Sequence, residues 1–375
     1  MKPKLAFVDY QLKKIRKDNL YRKLRFGKVN GAYIIIQNKK LLNFCSNDYL
    51  GIKVSTKPSQ MQSSSRLVSG NDISFESLEK LLAKHKSKEK SLIFPTGYMA
   101  NIGVISTLIR KNDVVLSDEL NHASIIESCK LSGANIAIYK HNDINDLSKK
   151  LDQNRGRKFV ISEGVFSMDG DFADLKKLVE VAEKKDAITI LDDAHGDFII
   201  GKDGKGTPSY FGVAKKIDVY VSSLSKGLGS FGGYAASKTN IIELLINKSK
   251  SFIYTSALPT YLIEYSLKKI KSNREKQRKK LWENVEMLAT GLHQIGYNFS
   301  SPTHIIPIII GKEKRALEFG RFLYNNGIFA QPIRYPTVPK NKARIRISVS
   351  ALLSKNNIEK ALNVFDLASK KFKIF

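Results

Sequence analysis

From about Phe75 onward, short apolar runs alternate along the chain with stretches whose apolar positions recur at helical spacing. The runs cover residues 92–94, 114–116, 136–139, 159–161, 188–191, 219–221 and 233–236 and read as strands, with helices in most of the gaps. Such alternation is the signature of βαβ units and predicts an α/β fold with a mostly parallel central sheet flanked by helices. Upstream, the apolar runs 33–36 and 41–44 flank Asn38-Lys39-Lys40 and read as a β-hairpin. Residues 1 to about 25 set Leu12, Ile15, Leu20 and Leu24 among basic residues, the pattern of an amphipathic helix that packs onto something larger. Downstream, a long helical region over about 260–295 leads to a smaller α+β segment with strands near 305–310 and 344–349. The expected division is an arm and hairpin over 1–45, a large α/β domain over 46–255, and a linking helix with a small C-terminal domain over 256–375.

A chain of 375 residues, 42% hydrophobic and 26% charged, can bury a large core without staples, which excludes a disulfide mini-protein and a disordered chain. Two cysteines, Cys45 and Cys129, make no disulfide framework, and no metal-ligand spacing surrounds either. Met1-Lys2-Pro3-Lys4 leads into mixed apolar and basic residues rather than a signal peptide, so a cytoplasmic location is expected. The apolar run 305–310 falls far short of the roughly 20 residues of a membrane span, so no membrane partner is expected.

Lys plus Arg number 63 against 35 Asp plus Glu, a net charge of +28 that favours an anionic ligand or partner. The lysines are scattered from end to end, as on solvated helix faces. No helix-turn-helix, RRM or zinc pattern accompanies them, so a nucleic-acid partner is not expected.

In open parallel sheets ligands gather beyond the carboxyl ends of the strands, which makes the polar residues just after each apolar run the candidates for chemistry. Run 188–191 ends in Asp192-Asp193-Ala194-His195-Gly196, and run 219–221 in Ser222-Ser223-Leu224-Ser225-Lys226-Gly227. Run 114–116 leads to Asn121-His122, and run 159–161 to Glu163 and Ser167. Taken singly, Asp192 is as well explained as a helix cap, His195 as a core histidine and Lys226 as a surface lysine. Taken together they put carboxylate, imidazole, hydroxyl and amine where one ligand could meet them all.

Pyridoxal phosphate (PLP) requires that set: a lysine for an imine, a carboxylate at the ring nitrogen, a flat group over the ring, a donor at the phenolic oxygen and a phosphate cradle. Lys226 fits the first role and Asp192 the second, since a nearby opposite charge raises a basic nitrogen's pKa by about 1–3 units. Thr96-Gly97-Tyr98, where run 92–94 turns into a helix, offers free backbone N–H groups at the positive end of a helix dipole for the phosphate.

The chain further carries Ser46-Asn47-Asp48-Tyr49-Leu50-Gly51, Ser65-Arg66-Leu67-Val68-Ser69-Gly70-Asn71, Gly97-Tyr98-Met99-Ala100-Asn101, Asn121-His122-Ala123-Ser124, Tyr254-Thr255-Ser256-Ala257-Leu258-Pro259 and Pro336-Thr337-Val338-Pro339. With the strand-end motifs, these make the sequence resemble, nearly end to end, the α-oxoamine synthases among the fold-type I PLP-dependent transferases. The resemblance implies Lys226, His122 and Asp192 as catalytic residues, with His122 stacked on the cofactor ring. It also implies His195 at the phenolic oxygen, Ser167 beside the cofactor, and Gly97, Tyr98 and Ser223 around it. Thr255 would reach the phosphate of the neighbouring subunit, which implies a homodimer with shared active sites. Arg346 would grip the amino-acid carboxylate, a task suited to a bidentate fork, while Arg22, Asn47 and Thr337 would contact substrate.

Within the family, the run from Ser65 to Asn71 favours decarboxylative condensation of L-alanine with a pimeloyl thioester, on coenzyme A or an acyl-carrier protein, in biotin biosynthesis. Members that use glycine or serine, namely glycine C-acetyltransferase, 5-aminolevulinate synthase and serine palmitoyltransferase, share Lys226 and Asp192 and are the nearest alternatives. A more distant one is a serine acyl-enzyme, from Ser223-Leu224-Ser225-Lys226 with Ser237-Lys238-Thr239.

Overall fold

The structure, a computed structural model, describes residues 6–57 and 63–374; Met1-Lys2-Pro3-Lys4 lies outside them. The chain divides into two compact units, one comprising Asn47–Ser167 and Asp171–Arg278, the other Met1–Ser46, Met168–Gly170 and Lys279–Phe375. The change of unit falls at 278/279 instead of near residue 255. Helix Thr260–Lys271 stays with the larger unit because it packs on helix Ile73–Lys86 there.

The larger unit is built on a seven-stranded sheet in the order Lys90–Phe94, Gly233–Ser237, Val219–Ser223, Ala187–Asp192, Lys158–Glu163, Val114–Asp118, Asn135–Tyr139. These are the seven strands expected from the sequence. All are parallel except Gly233–Ser237, which runs antiparallel to both its neighbours. Both faces are covered, and the period of two along each strand divides its residues between two cores. Val115, Phe159 and Ile161 face one cluster with Val104, Ile105 and Ile125, while Val114, Leu116 and Val160 face another with Leu147, Leu175 and Leu178. That double burial explains why the strands read as unbroken apolar runs.

The smaller unit holds a four-stranded sheet that includes the expected hairpin, Tyr33–Ile36 with Lys39–Asn43, and a three-stranded sheet of Ile305–Gly311, Ala343–Ser348 and Pro332–Ile333. Two expectations change. The helical region over 260–295 is two helices, Thr260–Lys271 and Glu275–Ile295, parted where Ser272 turns extended and Asn273 Oδ1 accepts from the Glu275 N–H at 3.0 Å. The N-terminal helix, Ala6–Lys17, stops before Leu20 and Leu24; Ile15 is exposed on it and Leu24 is 92% exposed beyond it. Among the described residues no helix is long and apolar enough to cross a membrane.

Candidate active site

Polar groups converge at the carboxyl edge of the large sheet because three adjacent strands end there in Glu163, Asp192 and Ser223. Asp192 is buried, and its Oδ2 accepts from Asn101 Nδ2 at 2.6 Å while Oδ1 accepts from the Ala194 N–H at 3.0 Å. Asn101 also donates to Ser124 Oγ at 2.9 Å, and Ser124 in turn lies 2.7 Å from His122 Nδ1. One continuous chain of hydrogen bonds thus runs from Asp192 to His122.

His122 caps helix Ala123–Ser132, its Nδ1 accepting from the Ser124 N–H at 3.2 Å. A nitrogen that accepts carries no proton, so the neutral ring keeps its N–H on Nε2. Desolvation pulls His122 below the usual histidine range, and Lys226 adds to this against the opposing charge of Asp192. Glu163, paired across the sheet with Asp192, is pushed well above the carboxylate range by burial and by the Asp192 charge, against the pull of Lys226. Of the two adjacent carboxyls, Glu163 is thus favoured in its protonated form, and Asp192 accepts hydrogen bonds.

Lys226 is half-buried within electrostatic reach of both His122 and Glu163, in the turn after Ser223. Ser223 Oγ lies 2.8 Å from Ser225 Oγ and accepts from the Ser225 N–H at 3.3 Å. Opposite stands the start of helix Gly97–Leu108, capped by Thr96, whose Oγ1 accepts from the Met99 N–H at 3.1 Å. A Cβ on Gly97 would come within 3.1 Å of Ser223 Cβ, so glycine lets the helix start approach the strand end and leave its N–H groups facing the site. Tyr98 meets His122 edge to face at 6.5 Å. His195 is buried with Nδ1 2.7 Å from the Tyr49 hydroxyl, which donates to Asn47 Oδ1 at 3.2 Å. Ser167 is buried at the end of the segment after strand Lys158–Glu163.

The larger unit therefore brings Asp192 and His122 together with Lys226, Gly97 with Ser223, and His195 with Asn47. Thr255 lies in the same unit but lines a separate small cleft with Arg66, Phe75 and Phe94. The other three substrate candidates belong to the smaller unit. Arg22 and Thr337 line one cavity of about 480 Å³ there, together with buried Arg334. Arg346 sits mid-strand opposite Pro307, its Nη2 donating to Ser348 Oγ at 3.3 Å. Its strand neighbour Arg344 is ion-paired with Asp169. Ser237, a member of the serine acyl-enzyme pattern, is buried and donates to the Asp218 carbonyl at 2.6 Å, which removes its hydroxyl from any site.

PLP fits these residues. A buried carboxylate, a neutral imidazole with its Nε2–H available and a glycine-opened helix start are set along one sheet edge beside a lysine. Among the described residues the buried Asn101 Oδ1 and Glu163 Oε1 have no hydrogen-bond partner, the mark of a polar site shaped for more than its own side chains. Asn101, Ser124, Tyr49 and Glu163 lie within motifs visible in the sequence, but their part in the site is a matter of contact.

A model of the aminotransferase class I and II family matches residues 39–365. The chain is 40% identical to an 8-amino-7-oxononanoate synthase of Thermoanaerobacter pseudethanolicus, covering 99% of this chain and 98% of the relative. It is similar in structure to a serine palmitoyltransferase of S. paucimobilis with a bound PLP–myriocin aldimine, at TM-score 0.92, 26% identity and 99% coverage of both chains. An 8-amino-7-oxononanoate synthase of Francisella tularensis superposes at TM-score 0.75 and 26% identity, over 88% of this chain and 98% of that one. With a family model spanning most of its length and a relative this similar from end to end, the chain belongs to the aminotransferase class I and II family and, within it, to the group of the 8-amino-7-oxononanoate synthases.

Proposed function

We propose that the protein is a PLP-dependent acyltransferase that condenses L-alanine with a pimeloyl thioester, with loss of carbon dioxide and the thiol, to give 8-amino-7-oxononanoate for biotin synthesis. The observation that carries the reading is the buried hydrogen-bond chain from Asp192 through Asn101 and Ser124 to His122, beside Lys226. The names of the similar proteins support it.

When bound, PLP supplies an electron sink for the pair left on the amino acid's Cα. Lys226 would hold the cofactor's aldehyde carbon and, once displaced by the amino acid, take the Cα proton on Nζ. An amine takes up a proton only in its uncharged form. Asp192, fixed by Asn101 and the Ala194 N–H, keeps a proton on the ring nitrogen. His122 lays a neutral ring over the cofactor and can donate its Nε2 proton to the thioester oxygen. His195, oriented by Tyr49, serves the phenolic oxygen, with Ser167 beside it. Gly97, Tyr98 and Ser223 cradle the phosphate, and Thr255 completes the cradle of the neighbouring subunit in a homodimer. Arg346 binds the amino-acid carboxylate through its planar fork, and Arg22, Asn47 and Thr337 contact the substrates. We place the enzyme in the cytoplasm.

The test is product formation by the purified, cofactor-loaded protein from pimeloyl-CoA with L-alanine, glycine or L-serine. We expect 8-amino-7-oxononanoate from alanine and none from Lys226→Ala. Preference for glycine with a short acyl-CoA would assign the protein to a sister activity instead.

A further inference from the structure

The turn that presents Asp192 and His195 at the sheet edge is held from its other side by a second, fully buried set of charges that the chemistry above does not use. Asp193 and Asp197 are each 0% exposed. Asp193 accepts from the Thr207 N–H at 2.9 Å, the Thr207 hydroxyl at 2.8 Å and the Tyr220 hydroxyl at 2.7 Å. Asp197 accepts from the Tyr234 hydroxyl at 2.5 Å, lies 3.1 Å from His85 Nε2 and is ion-paired with Lys86. The Lys86 ammonium is buried too; it donates to the Lys205 carbonyl at 2.9 Å and stands 4.1 Å from the centre of the Tyr220 ring.

Two features tie this cluster to the cofactor side. Gly227, next to Lys226, packs directly on the Asp197 carbonyl, where a Cβ would clash. Phe198 is held at φ +63, a costly conformation for a residue with a side chain, and its ring stacks on His85 at 4.8 Å. A strained backbone persists only where its surroundings over-determine it, so the cluster acts as a clamp on the turn.

We propose that Lys86 is a positioning residue for catalysis: its buried ammonium, paired with Asp197 and within electrostatic reach of Asp193, fixes the turn over 192–197 from behind and thereby aims Asp192 and His195. The charge balance supports this. Burial lowers Lys86, with Asp197 and Asp193 opposing the fall. Burial would raise Asp197, but Lys86 and His85 hold it well below the carboxylate range. Burial pushes Asp193 up to about 7 against the pull of Lys86, with the Asp197 charge adding to the rise. His85 is lowered by burial and by Lys86 and Arg274. Without the ammonium the two buried carboxylates would keep their N–H and hydroxyl donors, the His85 imidazole and the more distant Arg274 but lose their buried counter-charge, and at least one would take up a proton and give up a donor that now holds the turn.

The inference rests on the PLP reading and is tested in the full chain with Lys86→Met paired with Asp197→Leu, since exchanging both partners of a buried ion pair for apolar groups preserves folding better than removing one. PLP affinity of the apoprotein and the pH titration of the bound cofactor's absorbance are read alongside the thermal midpoint. We expect a folded protein that binds PLP about tenfold more weakly, with the titration midpoint moved by about 0.5 pH unit or more. Wild-type affinity and titration in the folded double variant would overturn the proposal. Should that variant not fold, Tyr220→Phe, which keeps the charges and removes one donor to Asp193, decides in the same way: weaker binding and a shifted midpoint support the clamp, and wild-type values overturn it. A wild-type protein that takes up no PLP would overturn the cofactor reading itself, and this inference with it.

Discussion

His141 sits between two carboxylates, Nδ1 3.0 Å from Asp118 and Nε2 2.8 Å from Asp171, with its ring edge-on to Phe166 at 4.4 Å. Both nitrogens face acceptors, so both carry protons and the ring is cationic. Burial would lower its pKa, but the hydrogen bonds to Asp118 and Asp171 and their charges prevail and push it up to about 10. Asp118 ends the strand before His122, and Asp171 follows Ser167, so the imidazolium pins the two segments that carry those candidates. A folded-state pKa above the unfolded one stabilises fully below the unfolded value and fades as pH rises through the folded value. The stability advantage of wild type over His141→Gln should therefore be constant below about pH 6.5 and shrink steadily towards pH 10. Thermal midpoints of both proteins across that range check it; an advantage that grows with pH would refute the charged assignment.

At the scale of elements, the proposed phosphate cradle depends on a strand and a helix start coming into backbone contact. A Cβ on Gly233 would lie 2.5 Å from Gly97 Cα and N, where no flexible side chain can yield. Gly233→Ala must therefore part strand Gly233–Ser237 from the start of helix Gly97–Leu108. Overpacking of this kind costs about 1–3 kcal/mol. We expect a lower urea midpoint and a larger loss of PLP affinity than of pyridoxal affinity, because in the proposed site the displaced N–H groups hold the phosphate. Equal losses for the two ligands would locate the damage elsewhere. The antiparallel course of Gly233–Ser237 was not legible in its short apolar run, since direction is set by the connection from Val219–Ser223, which is too short for a crossover. Similarly, the 260–295 region reads as one helix by apolar period, while the Ser272-Asn273 pair that divides it acts through backbone capping.

At the scale of the whole molecule, a net charge of +28 should accelerate encounter with an anionic acyl carrier. Raising ionic strength from about 0.05 to 0.5 M should lower kcat/KM for pimeloyl-CoA several-fold, and lower it clearly less for a pimeloyl thioester of an uncharged thiol, which keeps only its terminal carboxylate, because screening grows with the charge brought to the encounter. Equal salt dependence for both thioesters would make the lysine excess a property of solvated faces alone.

The apolar runs and the polar residues that close them determined the sheet, its seven strands and the candidates Asp192, His122, Ser223 and Lys226, because burial on both faces of a parallel sheet and ligand binding at its carboxyl edge both leave local marks. The partners of those candidates were decided by tertiary structure alone. Asn101 reaches Asp192 across 91 positions of chain and Tyr49 reaches His195 across 146. Lys86 is one lysine among many in the sequence, and only the fold buries it against Asp197. Hydrogen bonds and ion pairs over such separations depend on which surfaces the packed core brings together, and no local pattern of residues records that.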